Sequence, residues 1–168
     1  MAASDKLPAA GFEEHRVGMR KVLLLAVALL AFAGAVRAQD QGYWRAASSN
    51  ANAITGDVTI SVSRVTIDYL TFTMAPIRKL KPVEVSSVFD ADVNAGIEGV
   101  LYRLKVPPAQ RFLHKNTLCG DEETQWMATY VTGRTLSVAF FSGDDEPVFT
   151  FDAIQHSSAV CGTFSYSR

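Results

Sequence analysis

The chain has 168 residues with 16 basic and 17 acidic side chains, a net charge of −1, and only two cysteines. That length suits one ordinary domain, and so mild a charge argues against nucleic acid as a partner. Two cysteines allow at most one intrachain bridge.

The first recognisable element is an export signal. Met19-Arg20-Lys21 opens an apolar stretch, Val22–Val36, too short to span a bilayer comfortably, and Val36-Arg37-Ala38 carries small residues at the −3 and −1 positions of a cleavage site. Residues 1–38 are therefore expected to be an N-terminal extension and signal peptide, cut after Ala38. The polar Met1–Gly18 reads either as a long n-region or as residues upstream of a start at Met19. If the segment stayed uncut it would be a membrane anchor, the single membrane contact expected. No cysteine follows it directly, so a lipid anchor is not supported.

Residues 39–168 then form a single β-rich domain of 130 residues with 11 basic and 14 acidic side chains, periplasmic or secreted. Its acidic groups gather in the last third, while Ile77–Lys81 ("IRKLK") is basic.

Period-2 alternation dominates that domain, as in half-buried strands. In Asp57–Ser63, Val58, Ile60 and Val62 oppose Thr59, Ser61 and Ser63; in Glu98–Val106, Val100, Tyr102, Leu104 and Val106 oppose Leu101, Arg103 and Lys105. In Arg64–Met74 the apolar phase slips between Tyr69 and Leu70, which predicts a bulge or bend. Helical signal is limited to Pro82–Asp90, with proline in the first turn, and Asp152–Val160, with Asp152 as cap. Many short strands between turn residues give an all-β fold, a small antiparallel barrel or sandwich with one or two short helices.

Thr132-Gly133-Arg134-Thr135 reads as a type II′ hairpin turn. Its register sets Val131 opposite Leu136, Thr129 opposite Val138 and Met127 opposite Phe140, an apolar face that should be core. The other face pairs Tyr130 with Ser137, Ala128 with Ala139 and Trp126 with Phe141, and is either a second buried face or an exposed binding surface. Carried further, the register brings Glu123 opposite Asp144 and Glu122 opposite Asp145. Asp121, Glu122, Glu123, Asp144 and Asp145 are thus calcium candidates, although they lack the alternating spacing of a dedicated calcium loop; otherwise they are a solvated strand end that discourages edge pairing.

Cys119 and Cys161 are expected to form one structural disulfide in an oxidising compartment, since a catalytic dithiol would place them close in sequence. His114 and His156 sit in no metal-ligand spacing, no Gly-x-Ser-x-Gly elbow occurs, and no cofactor is expected. A small hydrolase built on either histidine or on the acidic loops is the least favoured reading.

Gly42-Tyr43-Trp44 resembles the Gly-x-Trp near the start of lipocalins. That resemblance implies a tryptophan closing one barrel end beneath an arginine, here unassigned, and a small apolar ligand inside. Phe112–Gly120 together with Thr124–Phe149 resembles exported bacterial β-rich proteins without assigned activity. The functional expectation is a non-enzymatic binding or interaction module of the bacterial envelope, with an envelope protein as partner. The alternative is a lipocalin-like carrier of a small apolar ligand. Trp44, Trp126, Tyr130 and Phe141 are the candidate ligand or interaction surface.

Overall fold

The computed structural model describes residues 39–95 and 99–168; the expected signal segment, with its apolar stretch, lies outside the described residues. Eight antiparallel strands close a barrel in chain order, each paired with the next and the last with the first. They are β1 (Gly42–Ala46), β2 (Val58–Ile60), β3 (Arg64–Ile67), β4 (Leu70–Leu80), β5 (Gly99–Val106), β6 (Thr124–Thr132), β7 (Thr135–Ser142) and β8 (Val160–Ser167). Two short helices, α1 (Pro82–Phe89) and α2 (Phe151–His156), lie in the β4–β5 and β7–β8 connections. The expected barrel is therefore present and the sandwich alternative falls. Closure removes the exposed sheet edges that a sandwich would leave.

Strict alternation makes the interior. Trp44, Val58, Ile60, Val65, Ile67, Met74, Tyr102, Leu104, Met127, Phe140, Phe164 and Tyr166 are all buried in one cluster along the barrel axis. Within each regular stretch an inward side chain is followed by an outward one, and the phase changes only where a strand is bulged.

The phase slip in Arg64–Met74 is neither bulge nor bend. Ile67 pairs with Leu70, and Asp68 and Tyr69 between them both take positive φ (47° and 64°), a two-residue hairpin turn of type I′. Asp-Tyr is not the usual residue pair for that turn, which is why one apolar run conceals two strands. A true bulge lies further on, between Pro76 and Arg78, and it turns Leu80 to the outside of the barrel.

The β6–β7 turn matches the expected type, with Gly133 at φ +56° and no positive φ at Arg134. From Trp126↔Phe141 to Thr132↔Thr135 the register is the expected one. It then breaks at Gln125, and Thr124 pairs with Ser142. The extension that set Glu123 against Asp144 and Glu122 against Asp145 is therefore corrected by one bulged residue.

Helix α1 begins as expected at Pro82 and stops where Asp90 turns left-handed (φ 53°). Helix α2 differs: Thr150, not Asp152, caps it by accepting from the Ala153 amide, and it ends at His156, so that Val160 belongs to β8. Threonine two positions earlier reaches the third helical amide, which leaves Asp152 in the first turn.

Candidate functional site

Both helices lie over the outer faces of β4 to β7. Leu80, Leu101, Trp126, Ala128, Tyr130, Ala139 and Phe141 form a second buried cluster with Val85 of α1 and Phe149. The Ala128–Ala139 pair leaves room for the covering layer, and Gly99 has none to spare, since a Cβ there would meet the Thr129 carbonyl at 2.6 Å and Val85 at 3.1 Å. Phe89 stacks on Tyr130 with ring centroids 5.7 Å apart, and Phe149 meets Phe141 edge-on at 5.7 Å. The aromatic face of the hairpin is therefore the buried one of the two alternatives.

This separates the four candidate residues. Trp44 is inside the barrel, fully buried; Trp126, Tyr130 and Phe141 are outside it, buried beneath the covering layer. They are not one surface. Cys119 and Cys161, with Cα atoms 4.7 Å apart, form the expected disulfide and tie the loop before β6 to the start of β8.

At the end where the chain enters β1 and leaves β8, Trp44 donates from Nε1 to the Asp40 carbonyl (2.7 Å), and the Arg168 guanidinium lies 4.2 Å from the ring centre. Arg168 also donates to the carbonyls of Gln41 (3.3 Å) and Gln39 (3.4 Å), strapping the entering segment over the tryptophan. Arg168 is thus the arginine that covers Trp44.

Beneath that plug, Asp40 Oδ2 accepts from the Tyr102 hydroxyl (2.8 Å) and from Thr129 Oγ1 (2.6 Å). Asp40 is 2% exposed, and its Oδ1 has no hydrogen-bond partner. Burial, reinforced by the Asp40 charge and hydrogen bond, raises the Tyr102 hydroxyl far above the ordinary phenol pKa. Burial does the same to Tyr166, whose hydroxyl lies 2.7 Å from Thr55 Oγ1. Nothing in periodicity flags Asp40, a lone carboxylate before the first strand.

The acidic candidates meet cations on neighbouring strands. Lys105 Nζ lies 3.4 Å from Glu123 Oε2, and Asp144 Oδ1 accepts from Gln125 Nε2 (2.8 Å) with Arg103 Nη2 at 3.7 Å. Arg103 also donates to the Asp144 carbonyl (2.9 Å) and to Gln125, and covers the Trp126 ring at 4.4 Å. Asp121, Glu122 and Asp145 are exposed. Among the described residues no group of three or more His, Cys, Asp or Glu side chains is placed to hold a metal ion.

Neither histidine meets a serine among the described residues. His114 is exposed in a left-handed turn, and His156 Nδ1 lies 2.9 Å from the Asp152 carbonyl on its own helix.

Large apolar side chains are exposed at several places, Tyr43, Val62, Ile77 and Val93 among them. Tyr69, 97% exposed, stands at the tip of the β3–β4 hairpin in left-handed backbone that glycine would hold with less strain. Val83, Val148 and Phe151 flank a concavity between α1 and the strap before α2. No family model, no curated protein and no solved structure matches this chain.

Proposed function

We infer that this protein is a non-catalytic binding module exported to the bacterial envelope, and that its partner is a protein engaged by its outer surfaces. What carries this reading is the interior: large side chains from the strands, Trp44, Tyr102, Phe140, Phe164 and Tyr166 among them, occupy the barrel axis where a carrier would keep its ligand. The exposed Tyr69 tip supports it, because a bulky ring held in strained backbone and left in water is available to a partner. Native mass spectrometry of protein from its own envelope fraction tests the reading. The expected species is bound to another polypeptide; an added mass of a few hundred daltons on the monomer would overturn it.

One observation favours a second reading, the lipocalin-like carrier. Arg168 over Trp44 at one end of an eight-stranded up-and-down barrel is the closure that the Gly-x-Trp resemblance implies. A carrier requires the interior side chains to move aside, so tryptophan emission would shift on adding an apolar probe to the folded protein. A flat response removes this reading.

A further inference from the structure

The alternation that turns Trp44 and Ala46 inward turns Tyr43 and Arg45 outward on β1. Arg45 pairs across the barrel seam with Ser167 of β8, and Ser167 pairs with Thr135 at the start of β7. Arg134 immediately precedes Thr135, and the Arg168 amide donates to its carbonyl at 3.0 Å. Arg45, Arg134 and Arg168, from three parts of the chain, thus converge on one concavity of about 510 Å³, with Tyr43 and Ser167 as its remaining walls.

None of these three arginines has a side-chain carboxylate within salt-bridge distance among the described residues. Asp57 attracts Arg45, but its oxygens are taken by the Tyr43 hydroxyl and the Ala46 amide (2.9 Å), which together with the Arg45 charge hold its carboxyl below the usual range. Tyr43 is fixed as a wall by the same bond. Arg134 donates from Nε to the Arg168 main-chain oxygen, and Arg168 is held by Trp44 and two carbonyls, so neither guanidinium needs much ordering to meet a ligand. Arg78, Arg103 and Lys105 each face a carboxylate, while among the described residues the exposed Arg64, Arg111 and Lys115 do not, so what sets this place apart is the gathering of three guanidinium groups on one concavity. Three guanidinium groups share this concavity with only Asp57 and the main-chain oxygens of Arg168 as anionic neighbours, and a bound anion adds attraction to that cluster.

We propose that this concavity is a binding site for a phosphate-type oxyanion, carried either on a soluble phosphate ester or on an anionic lipid headgroup. A tetrahedral oxyanion offers acceptors to guanidinium forks arriving from three sides, whereas a planar carboxylate is saturated by two. The site lies on the outer wall at the closed end of the barrel and is independent of whether a protein partner exists.

Isothermal titration of the folded protein with inorganic phosphate, pyrophosphate and acetate tests it. The expected result is saturable binding of pyrophosphate and phosphate, at least tenfold weaker in Arg134→Gln and in Arg45→Gln and unchanged in Arg111→Gln, whose arginine lies in the loop at the other end. Cosedimentation with phosphatidylcholine vesicles, with and without phosphatidylglycerol, distinguishes the sources: retention that requires phosphatidylglycerol and is lost in the same two variants identifies a headgroup, and its absence beside phosphate binding identifies a soluble ester. Acetate binding as tight as phosphate, equal binding in Arg134→Gln and Arg111→Gln, or no saturable binding in either format overturns the proposal. Arg45 and Arg134 are exposed, so circular dichroism should show both variants folded.

Discussion

The two apolar layers of this protein are closed by different means. The barrel interior is sealed at one end by Trp44, strapped by Arg168 and the Gln39–Gln41 segment, and contains a buried polar group, Asp40, beneath the seal. Among the described residues the outer layer contains no comparable buried acid; it is covered by two short helices, and Arg78 of β4 ties down Glu84 of α1 and Glu146 of the connection that leads to α2. Short helices contribute little on their own, so the outer layer depends on the aromatic faces they cover, while the interior depends on the closure of the sheet. The difference teaches where the fold should be fragile: removing the plug opens the core itself, whereas removing a covered aromatic loosens only one wall.

That contrast predicts the largest effect. Trp44→Ala should cost about 3–5 kcal/mol, the range for truncating a buried tryptophan, while Trp126→Ala, 7% exposed and covered on one wall only, should cost less. Denaturant unfolding of both variants measures it, and equal losses would show that the layers do not differ in this way. Close behind comes the disulfide, whose cysteines are 42 residues apart. Cys119→Ser should lower stability by about 4 kcal/mol under oxidising conditions and change nothing when the parent protein is already reduced. Identical midpoints in oxidised parent and variant would mean that the bond constrains little.

The polar group beneath the plug sharpens the comparison further. Tyr102→Phe removes one of two donors to Asp40 Oδ2 and should cost about 1–2 kcal/mol. Its pH dependence has a definite sign. The Tyr102 and Tyr166 hydroxyls titrate higher in the fold than in the unfolded chain, so their stabilisation is complete below the ordinary phenol pKa of about 10 and is lost as pH rises above it. Urea midpoints between pH 8 and 11 should fall more gently in Tyr102→Phe than in the parent. Parallel curves would sever the link between burial and ionisation.

How far these features can be read from the chain depends on their range. Alternation around Val58, Tyr102 and Met127 is local and identifies strands and their inward face without tertiary knowledge. Turn chemistry is local too, but only where the residues are typical: Gly133 announces its hairpin, whereas Asp68-Tyr69 hides one because tyrosine, unlike aspartate, is not a usual choice for left-handed backbone. The bulge at Gln125 follows no sequence rule, and one extra residue was enough to move Glu123 and Asp144 out of register. The arginine over Trp44, the buried Asp40 and the three-arginine concavity join residues 39–45 to residues 102, 129, 134 and 168. Such pairings exist only once the barrel closes, so no local pattern could carry them.

A smaller effect is expected on the outer layer's margin. Arg78 holds Glu84 of α1 at 2.9 Å and Glu146 of the strap at 2.6 Å, and this bonding keeps the Glu84 carboxyl below the usual range. The groups are partly exposed, so solvent screening limits Glu84→Gln to about 0.5–1 kcal/mol. A depressed carboxylate pKa stabilises above the unfolded value of about 4.3, and this contribution disappears as pH falls through the lower folded value. The variant should therefore match the parent at pH 2 and differ from it at pH 6. A difference that persists at pH 2 would assign the loss to packing of α1 rather than to charge.

The smallest effect concerns the acidic loops. Calcium stabilises a fold when it neutralises carboxylates that have no other partner, and here Lys105 and Arg103 already occupy positions beside Glu123 and Asp144. The remaining acids, Asp121, Glu122 and Asp145, are in water, where their charges are screened at moderate cost. Melting with calcium and with chelator should therefore coincide in the parent. Removing the local cations changes the balance: in Arg103→Gln with Lys105→Gln the repulsion is uncovered, and calcium should then raise the midpoint by a degree or two. A calcium shift already present in the parent would mean that the ion, not the arginine, completes this end of the hairpin.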